Sequence, residues 1–375
     1  MLRFVIFLTL TILSLSAFST HVEQQISAPL TAYEYWTKER MQSATAMPMG
    51  LLDKRKELSK TIERHERIKK LDEPETYIPG TRPKGAYKKT KIVASGRSAR
   101  APSGKRKTKV SDTVISDICG IESSCTDFLP EMFHEQYPNS AIGKVFFTLL
   151  GFNFFCSASA VTSITTDNPG NENMVLTAGH CLSDGAGHFA TSFVFAPAYY
   201  EGDTPFGLWP ATTLYTTTEW HSGFGLARAR DVGFAIMSPN GNGQNLHDVV
   251  GSLGIKFNKK RSFGKKISAH GYGVSIWGGE KPVVSLSPII DFDLDTTPNP
   301  IAINSEHTGG ASGGPWLLRY IPDLAQYDER HFGILERKSN TIVGINSYLI
   351  NGTTLVFSPV LDSEIFKLWQ FVANQ

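Results

Sequence analysis

The chain has 375 residues, of which 41% are apolar or aromatic and 19% charged; that composition excludes a disordered polyelectrolyte and leaves ample material for a buried core. Its formal charge of +2 hides a strong asymmetry. Residues 51–110 carry 19 Lys and Arg against 7 Asp and Glu, a net of +12, whereas residues 111–375 carry 15 against 25, a net of −10. Such a split predicts two segments with different jobs.

The first residues have the pattern of a secretory signal: Arg3, an apolar run from Phe4 to Leu13, then the small residues Ala17 and Ser19 ahead of a cut. We assign 1–19 to a signal peptide. The run is too short for a membrane span, and no later stretch reaches the roughly 18 uncharged apolar residues that one needs. The expected product is therefore exported and extracellular, with no membrane span. Residues 20–110 form the basic segment. Leu51, Leu52, Leu58, Ile62, Ile68 and Leu71 stand among dense charges, a pattern that predicts a charged helix over 51–71. From Pro74 to Val110 prolines, glycines and lysines replace the apolar residues, as in an exposed linker, and Arg97-Ser98-Ala99-Arg100 and Lys105-Arg106-Lys107 are open to a processing protease. A basic stretch also suits nucleic acid or an anionic membrane, but only Tyr87 is interleaved as a stacking residue, so no nucleic-acid partner is expected.

From residue 111 to 375 the pattern changes to short runs rich in Val, Ile, Phe and Thr: Lys144 to Leu150, Phe193 to Phe195, Val232 to Met237, Ile267 to Ala269 and Thr341 to Tyr348. Asp184-Gly185, Asn240-Gly241 and Asn351-Gly352 are hairpin corners between such runs. Many short strands without long amphipathic helices between them predict an all-β barrel or sandwich. One helix closes the chain, capped by Asp362 or Ser363 and carrying Ile365, Leu368, Trp369 and Val372 on one face. In an exported chain, Cys119, Cys125, Cys156 and Cys181 form two disulfides, with three pairings open. Asn351-Gly352-Thr353 is a sequon that makes Asn351 a glycan acceptor as well as a turn. His180, Cys181 and His188 match no common zinc spacing, so neither a metal nor a cofactor is expected.

Three motifs carry chemistry. Val175-Leu176-Thr177-Ala178-Gly179-His180-Cys181 ends an apolar run in a histidine; Arg230-Asp231-Val232-Gly233-Phe234-Ala235-Ile236 opens another with an aspartate; and Thr308-Gly309-Gly310-Ala311-Ser312-Gly313-Gly314-Pro315-Trp316 surrounds one serine with glycines. A serine hydroxyl needs a histidine to take its proton, and the imidazolium so formed needs a buried carboxylate. The order His, Asp, Ser is that of chymotrypsin-like enzymes. From about Tyr137 onward the chain resembles the trypsin-like serine peptidases. Within them it is nearest the secreted glutamyl-endopeptidase-like branch, which shares Tyr137-Pro138-Asn139-Ser140-Ala141-Ile142-Gly143 and the tryptophan after Gly-Gly-Pro.

The resemblance implies two six-stranded antiparallel β-barrels with a C-terminal helix, preceded by a proregion over 20–110. It implies His180, Asp231 and Ser312 as triad and the N–H groups of Gly310 and Ser312 as oxyanion donors; Asp248, in a polar context, is the surface alternative to Asp231. It pairs Cys156 with Cys181, leaving Cys119 with Cys125. Gly344-Ile345-Asn346-Ser347-Tyr348 becomes one wall of the primary specificity pocket, with Asn346, Ser347 and Tyr348 as substrate contacts. Glu306 lies near the pocket floor as a selector for Lys or Arg, offset by His307. Two departures matter. Asn346 stands where glutamyl endopeptidases carry a histidine, and Ala311 stands where trypsin has the aspartate that receives the new amino terminus on activation. The usual activation switch is thus absent, and the expected substitute is a proregion docked on its own catalytic domain. Protein or peptide substrates are the expected partners. The alternative is a catalytically inactive, peptidase-like binding protein.

Overall fold

The structure, a computed structural model, describes residues 20–26, 29–52, 74–84, 125–128, 131–164, 170–223, 227–259, 263–290, 298–320 and 339–375. The signal-peptide assignment, most of the expected charged helix, both basic cleavage clusters, Tyr87 and Cys119 lie outside these residues.

The N-terminal region contributes β1 (His21–Gln25), α1 (Pro29–Tyr35), α2 (Lys38–Ser43), β2 (Thr45–Ala46), β3 (Gly50–Leu52) and β4 (Thr76–Ile78). After β5 (Cys125–Phe128) and the short helix α3 (Glu131–His134) the first barrel begins: β6 (Ile142–Leu149), β7 (Phe152–Ala160), β8 (Met174–Thr177), β9 (Thr191–Pro197), β10 (Trp209–Thr217), α4 (Thr218–Ser222) and β11 (Gly233–Met237). These strands pair in the order β10-β11-β8-β7-β6-β9, and a further β9–β10 pairing closes the ring. Closure removes every free edge, and Val145, Phe147, Leu176, Phe195, Leu214 and Phe234 fill the interior.

The second barrel follows α5 (Leu246–Val250) and comprises β12 (Gly254–Phe257), β13 (Lys266–Gly271), β14 (Val283–Pro288), β15 (Ile301–Asn304), β16 (Pro315–Leu318), β17 (Thr341–Ile345), β18 (Tyr348–Ile350) and β19 (Leu355–Ser358). Together with β3, β4 and β5 these strands lie in two sheets, β4-β12-β17-β16-β13-β14-β5 and β15-β19-β18-β3, antiparallel except where β12 pairs with β17 and β18 with β3. A bridge from Ile290 to Ala302 and the bond from the Ile345 N–H to Ser358 Oγ join them. The closing helix α6 (Ser363–Ala373) is capped by Asp362, whose side chain accepts the N–H groups of Glu364 and Ile365. Its buried face of Ile365, Leu368, Trp369 and Val372 is the one that the 3.6-residue spacing predicts.

Three expectations change. Leu51 and Leu52 stand in a strand, because their backbone pairs with Leu349 and Ile350, and sheet pairing outweighs the local helical pattern. The Pro74–Lys84 stretch of the expected linker is docked: Thr76–Ile78 pairs with Ile255–Phe257, and Thr81 bridges Ser252. Asn240-Gly241 joins a strand to a helix, with Asn240 Oδ1 accepting the N–H groups of Asn242 and Gln244, and so makes no hairpin. Asn351-Gly352 does turn a hairpin, between β18 and β19, and Asn351 is exposed there.

Candidate active site

The wholly buried strand β8 ends at Thr177, and the chain then folds through a 3-10 turn, Gly179–Cys181, that presents His180. The disulfide between Cys156 and Cys181 ties this turn to β7, so the pairing implied by the resemblance is formed. Asp231 follows a 3-10 turn at Arg228–Arg230 and stands two residues before β11, which pairs with β8; that register brings the carboxylate under the histidine. Asp231 Oδ1 accepts the His180 backbone N–H at 2.7 Å, and Oδ2 accepts from His180 Nδ1 at 2.8 Å. Ser347 Oγ donates to Oδ2 as well. Asp231 is 2% exposed and already accepts the His180 backbone N–H and the Ser347 hydroxyl; an ionised carboxylate can only accept, so its pairing with the ring puts the imidazole proton on Nδ1 and leaves Nε2 to accept.

Ser312 lies in the tight turn before β16. Gly310 and Gly313 both need positive φ, +87° and +82°. A Cβ on Gly310 would lie 2.7 Å from the Tyr272 carbonyl oxygen, and one on Gly313 2.7 Å from the Ala178 nitrogen, so glycine alone lets the serine turn lie against the histidine strand. Neutral hydrogen bonds order the turn where Ala311 leaves no carboxylate. Ser157 Oγ donates to the Gly310 carbonyl at 2.8 Å and accepts the Tyr272 N–H at 2.9 Å; Asn346 Nδ2 donates to the Ala311 carbonyl at 3.1 Å; and the Gly313 N–H donates to the Asn346 carbonyl at 2.7 Å. Ser157 had no signal in the sequence beyond its place after Cys156. Ser312 is fully buried, and neither its Oγ nor His180 Nε2 makes a hydrogen bond among the described residues. The Gly310 N–H is already occupied, donating to the Met47 carbonyl at 3.0 Å.

The remaining candidates separate. The Asn346 side chain is fully buried and spent internally, accepting from Trp316 Nε1 at 2.7 Å and donating to the His270 and Ala311 carbonyls. Ser347 is engaged with Asp231, and the buried Tyr348 ring stacks on Phe357. Glu306 is exposed. His307 is buried with Nε2 on the Ala269 carbonyl, and burial pushes its pKa down to about 4, so it is neutral and cannot offset Glu306 by charge. Asp248 forms a 2.6 Å salt bridge with Lys84, away from His180. His188 pairs with Asp184. Beneath the serine turn, Phe155 and Tyr272 abut Gly310 and also enclose Lys144. Its ammonium is fully buried, 3.9 Å from the Phe155 ring centre and 3.2 Å from Glu280; burial lowers its pKa to about 8 against the pull of Glu280.

A closed antiparallel barrel beside a second β-barrel, with a histidine turn, a buried aspartate and a glycine-framed serine between them, defines a serine-peptidase scaffold. Among solved structures the chain is similar to the protease Anisep of Arthrobacter nicotinovorans, at 30% identity and a TM-score of 0.54 over 67% of this chain and all of that one. It is also similar to the thermostable serine protease AL20 of an extremophilic microorganism, at 28% identity and a TM-score of 0.53 over 66% of this chain and all of that one. A Glu endopeptidase matches at 15% identity with a TM-score of 0.47, over 69% of this chain and all of that one. No family model and no curated protein matches the sequence. The chain belongs to the trypsin-like, chymotrypsin-fold serine proteases.

Proposed function

We propose that the protein is a secreted serine endopeptidase made as a precursor, acting through His180, Asp231 and Ser312. Ser312 Oγ attacks the substrate carbonyl while His180 Nε2 takes its proton; Asp231 orients and stabilises the imidazolium; the N–H groups of Gly310 and Ser312 receive the oxyanion, each such donor contributing roughly 3 kcal/mol. His180 returns the proton to the leaving amine, and water then hydrolyses the acyl-enzyme by the same route in reverse. The observation that carries the reading is the Asp231 carboxylate, buried beneath His180 and bonded to its Nδ1 at 2.8 Å. The docking of 20–26, 29–52 and 74–84 supports the precursor reading.

The unmade bond between Ser312 and His180 favours a second reading, an inactive peptidase-like binding protein. A fluorophosphonate probe separates the two. The first reading expects labelling at Ser312 in proteolytically processed protein and its loss in Ser312→Ala; an unlabelled processed chain leaves the second.

A further inference from the structure

The segment Thr45–Leu52 crosses between the two barrels at the candidate site. It enters beside β7, where Thr45 and Ala46 pair in parallel with Phe154 and Phe155 and the Met47 N–H donates to the Phe155 carbonyl at 2.9 Å. The Met47 carbonyl then takes the Gly310 N–H. Pro48 passes over Gly309, whose Cβ position lies 3.7 Å from the Pro48 Cα, and Gly50–Leu52 pairs in parallel with Tyr348–Ile350. The segment thus uses one of the oxyanion donors and the strand that forms the substrate wall. Met49 stands between Pro48 at Gly309 and Gly50 at Tyr348. It is 3% exposed, buried in an apolar cluster with Ile303, Trp316, Val343, Val356 and the half-buried Leu349.

We propose that this apolar pocket is the primary specificity pocket, selecting unbranched apolar side chains such as methionine, and that Thr45–Leu52 is its built-in, uncleaved occupant. The proposal rests on the peptidase reading. The side chains clustered with Met49 are apolar, surroundings that take a thioether without desolvating a charge. The occupant resists cleavage for two reasons. In a productive complex the residue that fills the pocket supplies the attacked carbonyl. Here Met49 fills the pocket while the carbonyl at Gly310 belongs to Met47, two places earlier, so the chain runs through the groove in the non-productive sense. The bond behind that carbonyl is Met47–Pro48, whose nitrogen is locked in a ring.

The test uses the full-length chain, before and after limited proteolysis of the N-terminal region, with the fluorophosphonate probe and a peptide library. The full-length wild type is expected to label at Ser312 at least tenfold more slowly than Met49→Asp, and the processed chain to cleave after Met and Leu in preference to Lys, Arg or Glu. A synthetic Thr45–Leu52 peptide should inhibit the processed chain competitively and remain intact, at a concentration where a Met49→Asp peptide does not; this arm stands even if the full-length variant misfolds. Equal labelling of full-length and processed wild type, or cleavage mainly after charged residues, would overturn the proposal while leaving the peptidase intact. A processed chain that neither labels nor cleaves would overturn the peptidase reading, and the proposal with it.

Discussion

Ser347 and His180 share one acceptor: both donate to Oδ2 of Asp231, the serine through its hydroxyl and the histidine through Nδ1. The second donor fixes the carboxylate in the plane where it can hold the imidazole. Removing it in Ser347→Ala loses a hydrogen bond to a charged group, typically about 1.5–3 kcal/mol. On the peptidase reading kcat falls about 10- to 100-fold with little change in KM, whereas Asp231→Asn, which supports the wrong tautomer, falls much further. Steady-state kinetics on processed protein check both.

Gly310→Ala is expected to displace the serine turn and with it the oxyanion donor. Its positive φ and the crowding by Phe155 and Tyr272 force the turn to shift, and loss of one such donor costs about 100- to 1000-fold in kcat. Unchanged kcat would show that this N–H takes no part in the chemistry.

The buried histidines predict an acid-labile fold. Burial lowers His247 and His307 to about 4 and His270 to about 3, from 6.5. As the pH falls from 6.5 toward these values the unfolded chain takes up protons that the native chain excludes, so stability drops, by up to about 1.4 kcal/mol per pH unit for each histidine. Urea midpoints measured between pH 7 and 4 should fall steeply, and His307→Gln should flatten the slope.

Lys144 acts with the same sign in an alkaline window. With its pKa lowered to about 8 from 10.5, the native chain releases a proton earlier than the unfolded one, so its burial penalty is relieved as pH rises between those values. Glu280→Gln strands the ammonium among aromatic rings and is expected to destabilise by about 3 kcal/mol at pH 7, less at pH 9. Lys144→Met removes the charge and should be far milder. Thermal unfolding of the two variants at both pH values measures the difference.

The disulfide Cys156–Cys181 closes a loop 25 residues long in sequence separation. Replacing both cysteines by alanine is expected to cost about 3 kcal/mol, read from denaturant midpoints. Peptide mapping without reduction should recover this link and, from the family resemblance, Cys119 with Cys125.

The parts legible in the sequence were those written in local patterns. The apolar runs before His180 and after Asp231, the glycines framing Ser312 and the amphipathic face of the last helix each declare themselves within ten or so residues. What escaped is non-local. Asn346 lies in the strand expected to face substrate, yet its amide links Trp316, His270 and Ala311, an arrangement visible only once β16 and β17 lie side by side. Ser157 reads as an ordinary strand residue until the Gly310 carbonyl is brought to it. Leu51 and Leu52 fit a helix by spacing, and only the presence of Tyr348–Ile350 makes them a strand.

The segment that crosses the candidate groove is moored at both ends. Upstream, Trp36 is buried against Phe146 and donates to the Ser192 carbonyl at 2.6 Å; downstream, Ile78 pairs with Ile255 on the other barrel. On the proposed reading it therefore behaves as a tethered ligand, whose effective concentration at the groove is in the millimolar range for a short tether. A single cut within 85–124 leaves both moorings in place. Activation would then have two time constants: a bimolecular cut that depends on the processing protease, and a unimolecular departure that does not. The lag before activity would persist however much processing protease is added, and would shorten only when the moorings at Trp36 or Ile78 are weakened.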